Sequence, residues 1–177
     1  MQYQQRCFKG VLAGAIFLAI TAMGGTAAAG TASSNLPVSA SVSANCTIDA
    51  SGGVAFGAYD PIVTNQSTAL TGSGTISTTC TNGASATITL DQGSNADTGS
   101  TDTAPLRRML AGTSDYLSYQ LYTDSGDTIS WGNTAATGVT VTGTGSAVSS
   151  TVYGSVAAGQ NVKTGNYADT VAATVTF

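Results

Sequence analysis

Val171-Ala172-Ala173-Thr174-Val175-Thr176-Phe177 closes the chain, and its reading decides the fold. Val171, Ala173, Val175 and Phe177 alternate with Ala172, Thr174 and Thr176, a period of two that marks a β-strand with one buried face. The strand is expected to run to the final carboxylate, with no later segment to pair beside it. Near the other end, Leu36, Val38, Ala40, Val42 and Ala44 alternate in the same way with Pro37, Ser39, Ser41, Ser43 and Asn45. A sheet edge left open beside a spare strand invites pairing with another chain. The pattern therefore points to a subunit that polymerises by lending its first strand to a neighbour. A domain that pairs its own first and last strands would satisfy the same pattern, and on alternation alone both arrangements stay open.

Working outward, residues 1–29 have the layout of a secretory signal peptide. Arg6 and Lys9 give a positive start, residues 11–23 a short apolar run, and Ala27-Ala28-Ala29 a small-residue cleavage site. The run is too short and too weakly flanked for a stable membrane span. Cleavage is expected after Ala29, with Ala32 as the alternative. Roughly 145 residues then remain, enough for one domain with a real core but not for two. They divide into a leading strand over 30–45 and a folded body over 46–177.

The mature chain keeps only Arg107, Arg108 and Lys163 as cations against nine aspartates, a net charge near −6, and it holds neither Glu nor His. So few cations cannot offset a phosphate backbone, which argues against nucleic-acid binding, and anionic membrane surfaces are disfavoured for the same reason. Catalysis also has little to work with. There is no imidazole base, Lys163 is the single lysine beyond the leader, and no pair of aspartates forms a recognisable acid–base constellation. No enzyme activity and no cofactor are expected.

Cys7 lies in the leader, which leaves Cys46 and Cys80 as an even pair in an exported protein. A disulfide is the natural reading. The alternative, free thiols or half a metal site, lacks a His or third Cys to complete it. Asp91, Asp97 and Asp102 share one polar loop, and Asp124 and Asp127 another. Neither matches the alternating spacing of a calcium loop, so solvated turn aspartates are expected and no metal is assigned. Tyr116, Tyr119, Tyr122 and Trp131 could stack on sugar rings, but their alternation is better explained by packing.

Thr, Ser, Gly, Ala and Val dominate the body, and no stretch sustains helical periodicity. Strands are expected over 38–48, 54–59, 74–80, 85–91, 106–110, 115–122, 128–131, 139–142, 150–156 and 167–177, punctuated by Gly, Asn, Asp and Ser. Asp60-Pro61 ends the second, because proline cannot donate to a ladder, and Thr81-Asn82-Gly83 reads as a hairpin turn. Strands at this spacing predict an all-β, two-layer sandwich of immunoglobulin-like topology.

In the order and spacing of several short stretches the chain resembles the spore coat protein U family, the Csu-type subunits of archaic chaperone–usher pili. The stretches are Cys46-Thr47-Ile48, Val54-Ala55-Phe56-Gly57-Ala58-Tyr59, Cys80, Leu106-Arg107-Arg108-Met109, the run from Tyr116 to Asp124, Trp131-Gly132, and Gly165-Asn166-Tyr167-Ala168-Asp169-Thr170 before the closing strand. The resemblance implies an incomplete immunoglobulin-like sandwich lacking its final strand. A periplasmic chaperone would fill the gap first, and an outer-membrane usher would then exchange it for the next subunit's leading strand. By position, Leu36, Val38, Ala40, Val42 and Ala44 would be the donor side chains. Val171, Ala173, Val175 and Phe177 would line the acceptor groove and meet the chaperone, with the Phe177 carboxylate as an anchor. The implied partners are further pilin subunits, the chaperone and the usher, and the implied location is a cell-surface fimbria serving adhesion or biofilm growth. A self-complete secreted sugar-binding module and a spore- or cell-coat protein are the competing readings.

Overall fold

The computed structural model describes residues 28–177, so nearly all of the expected leader lies outside the described residues. Eight strands follow in chain order: β1 (Cys46–Asp49), β2 (Leu70–Cys80), β3 (Ser85–Leu90), β4 (Arg107–Ala111), β5 (Asp115–Tyr122), β6 (Val139–Thr142), β7 (Ala147–Val156) and β8 (Ala173–Thr176). The described residues contain no helix. Every ladder is antiparallel. One sheet has five strands in the order β1-β2-β7-β5-β4, and the other has three in the order β6-β3-β8. The two sheets form an immunoglobulin-like sandwich, the architecture that the spacing of the alternating segments predicts.

Alternation builds the core. Ile76 on β2, Leu117, Tyr119 and Leu121 on β5, and Val152 and Val156 on β7 point inward from the larger sheet. Ile88 and Leu90 on β3 face them from the smaller one, and Trp131 is fully buried with its indole N–H donated to Ile88 O at 2.9 Å. This bond satisfies the ring's one polar group, so burial of the Trp131 indole carries no unpaired donor.

Several strand expectations are corrected. Residues 28–45 carry no strand at all, and the first ladder begins at Cys46. The segment 54–59 joins no ladder, and the inward alternation of Val54 and Phe56 breaks at Gly57, whose φ is 81°, so that Ala58 is exposed and Tyr59 half-buried. Residues 128–131 reduce to an isolated bridge between Tyr122 and Ser130, because the Asp124 carboxylate gathers the N–H groups of Gly126, Thr128 and Ile129 into a tight turn. Thr81-Asn82-Gly83 does reverse the chain, through the Ala84 N–H to Thr81 O bond, yet it passes the chain from one sheet to the other and makes no hairpin. The closing segment also changes sheets. Ala168 bridges Leu110 on β4, whereas Ala173–Thr176 pairs with β3.

Cys46 and Cys80 are disulfide-bonded and stand directly opposite one another in the β1–β2 register.

Candidate strand-accepting groove

β1 ends one sheet and β8 ends the other, and the two approach without sharing a ladder. On β8 the even-numbered residues face β3. Ala172 O accepts from Asp91 N, Ala172 N donates to Asp91 Oδ1, and the ladder continues through Thr174 and Thr176. In an antiparallel strand the backbone groups of successive residues point to opposite sides. The N–H and C=O groups of Val171, Ala173 and Val175 therefore face the open edge, while their side chains turn inward and are partly covered.

The interior along this edge is incompletely closed. Ile48, Val54, Phe56, Tyr59, Leu70, Met109, Val162, Tyr167, Val171, Ala173 and Val175 pack against the core yet stay half-buried. The Val, Leu, Ile, Phe and Met side chains among them each forgo part of the roughly 1.5–3 kcal/mol that full burial contributes. Two clefts open here, of 320 and 650 Å³, and they share Val54, Phe56, Met109 and Tyr167.

One wall is held by a network that crosses the sandwich. Arg107 on β4 is buried and donates from Nε to Asp91 O at 2.9 Å, and from Nη2 to Leu90 O at 3.0 Å and Trp131 O at 2.8 Å. Burial lowers its guanidinium below the usual value, partly offset by Tyr119, Asp91 and Asp169 nearby. Asp91 in turn holds Gly93 N and Ala172 N through Oδ1, each at 2.9 Å. Asp169, just ahead of β8, accepts from Tyr119 Oη and Asn95 Nδ2. Burial, and then that carboxylate, push the Tyr119 phenol well above its ordinary range.

Of the residues singled out in the sequence, Val171, Ala173 and Val175 lie on one inward face beside the groove, whereas Phe177 is 52% exposed. Leu36, Val38 and Val42 are 85%, 89% and 84% exposed, and Ala40 and Ala44 are exposed as well. Tyr119 and Trp131 are core, while Tyr116 stacks under the Arg108 guanidinium, 4.1 Å from the ring centroid. Asp97 pairs with Arg108 at 2.9 Å, and Asp102 Oδ1 accepts from Gln92 and Asn133. The roles of Arg107, Asp91 and Asp169 were missed by pattern reading. Apart from Gly93 N, two residues from Asp91, their partners are carbonyls, amides and a hydroxyl far away in sequence, which leave no local signal.

Comparison with known proteins agrees with this geometry. The profile of the Spore Coat Protein U domain matches residues 32–174. A protein named Protein U from Myxococcus xanthus is 48% identical over 157 residues, covering 85% of this chain and 88% of that protein. Among solved structures, the fold resembles the crystal structure of the CsuC-CsuE chaperone–tip adhesion subunit pre-assembly complex from archaic chaperone-usher Csu pili of Acinetobacter baumannii. That match has a TM-score of 0.51 at 18% identity and covers 77% of this chain but 40% of the chain it matches. The profile match and the extent of the Myxococcus relative lead to one conclusion: the chain belongs to the Spore Coat Protein U domain family.

Proposed function

We propose that this protein is a structural subunit of a surface filament, built by the chaperone–usher route, in which each copy accepts the leading strand of the next. The observation that carries the reading is the free edge of β8, where unpaired backbone groups of Val171, Ala173 and Val175 stand beside half-covered apolar side chains. A strand laid along that edge would satisfy the backbone and cover alternate side chains. Residues 36–45 form no strand in the unpartnered chain but would supply one, because Leu36, Val38, Ala40, Val42 and Ala44 alternate in sequence and lie exposed. Head-to-tail donation does not close on itself, so it yields a fibre. A periplasmic chaperone would occupy the groove before an outer-membrane usher exchanged it. The finished fimbria would lie outside the cell and support adhesion or biofilm formation.

Two variants test this together. Val38→Asp with Val42→Asp spoils the donor, and Ala173→Arg blocks the acceptor. Mature wild type is expected to give an oligomer ladder on unboiled detergent gels, and each variant alone to run as a monomer. Mixing the two leaves one sound donor and one sound groove, so assembly should stop at dimers. A ladder that persists in both variants would sink the reading.

A further inference from the structure

Residues 53–58 are held in place without any ladder. Among the described residues, none of the backbone groups from Val54 to Tyr59 takes part in a backbone hydrogen bond; the flanking bonds are Gly53 N to Ala50 O and Asn65 N to Asp60 O. Side chains seat the segment instead. Val54 and Phe56 turn inward, and the Phe56 ring meets Tyr119 edge-on, with centroids 5.8 Å apart and planes at 62°.

The floor beneath is cut to receive it. Gly72, Gly74 and Gly154 occupy inward positions of β2 and β7, where the neighbouring inward residues are Leu70, Ile76, Val152 and Val156. A side-chain carbon at Gly154 would come within 2.8 Å of the Phe56 ring. One at Gly72 would lie 3.1 Å from both Ala55 O and Phe56, and one at Gly74 would strike Gly53 O. Three glycines thus clear a track that the segment fills. Gly53 opens the segment and Gly57 stands one residue before its close, with φ of 54° and 81° and nothing within 4 Å of where a side-chain carbon on either would sit, so the backbone can turn at both.

Val54 and Phe56 line both clefts, so the 320 and 650 Å³ spaces are two parts of one groove divided by this segment. We infer that residues 53–58 form a removable plug, which covers the middle of the groove in the unpartnered chain and swings aside about Gly53 and Gly57 when a strand from a second copy enters. The inference rests on the strand-accepting reading above. The plug shields Tyr119 from water but gains no backbone pairing. An incoming strand gains both burial and the free groups of Val171, Ala173 and Val175, so it wins the competition.

The test follows uptake of a fluorescent peptide of residues 33–45 by the mature full chain, read by anisotropy. Val54 Cγ1 lies 3.4 Å from where a side-chain carbon on Gly72 would sit, so a Val54→Cys/Gly72→Cys variant can be oxidised to pin the plug. Uptake by the pinned protein should be at least tenfold slower than by the Val54→Cys single variant in the same buffer, which leaves Gly72 and its clearance intact. Phe56→Ala, which loosens the plug without a new bond, should take up peptide several-fold faster than wild type. Equal rates for the pinned and Val54→Cys proteins, or a Phe56→Ala rate at or below wild type, overturn the plug. No uptake by any of them, wild type included, overturns the strand-accepting reading itself.

Discussion

The Tyr119 hydroxyl donates to Asp169 Oδ2 at 2.8 Å while Asn95 Nδ2 donates to Oδ1 at 2.9 Å, so one carboxylate ties β5 and the loop after β3 to the segment that leads into β8. Tyr119→Phe removes one of these donors and leaves Asp169 short of a partner. It should cost about 1–3 kcal/mol, since hydrogen bonds to charged groups lie at the upper end of the usual range. Urea unfolding at neutral pH measures the loss.

The same residue sets an alkaline limit. The folded Tyr119 phenol is raised by burial and by Asp169, whereas an unfolded tyrosine titrates near about 10. The contribution is therefore fully present below that pH. It is lost as pH rises through and beyond it, because the unfolded chain releases a proton that the folded one keeps. Wild-type stability should fall between pH 9.5 and 11.5 more steeply than that of Tyr119→Phe, and parallel curves would refute the assignment.

Asp124 acts at the acid end. The N–H of Ile129 first, with Thr128 and Gly126, holds its carboxyl below the ordinary value. The turn it organises is intact above the unfolded carboxylate range, near about 3.9, and loosens as pH drops through the depressed folded value. Asp124→Asn should flatten this part of the acid unfolding curve, as seen in the Trp131 fluorescence signal.

Gly93 has φ of 78°, and an added side-chain carbon there would run into the Asp169 carboxylate. Gly93→Ala combines left-handed backbone strain of about 1–2 kcal/mol with displacement of a carboxylate from its donors. A loss of more than about 2 kcal/mol in denaturant unfolding is expected, on those two costs together.

Removing the disulfide by Cys46→Ser/Cys80→Ser frees a loop of sequence separation 34. The chain-entropy relation puts the cost at about 3–4 kcal/mol. Guanidinium unfolding of the purified double variant measures it.

Much of this fold was legible from alternation. The segment 115–122 matched β5 from end to end because Leu117, Tyr119 and Leu121 on one face and Tyr116, Ser118, Gln120 and Tyr122 on the other leave one register. β6 was equally plain. β2 was foreshortened to 74–80 because Gly72 and Gly74 stand at inward positions and hide the pattern that Leu70 begins. In 54–59 the alternation holds only as far as Val54 and Phe56, and even there it reports which side chains are buried and says nothing of a hydrogen-bonding neighbour. The inward face shared by Val171, Ala173 and Val175 was readable from its spacing, although Phe177, expected on the same face, is exposed. Arg107, whose partners are carbonyls of Leu90, Asp91 and Trp131, was not.

The bond between Cys46 and Cys80 sits at the first residue of the first strand, immediately after Asn45. Tension arriving from the leading segment would therefore pass through covalent sulfur into Cys80 and the long β2 strand before it could peel β1 away. A pull along the chain then loads β2 lengthwise against its ladder with β7, a shearing geometry in which many hydrogen bonds must yield together.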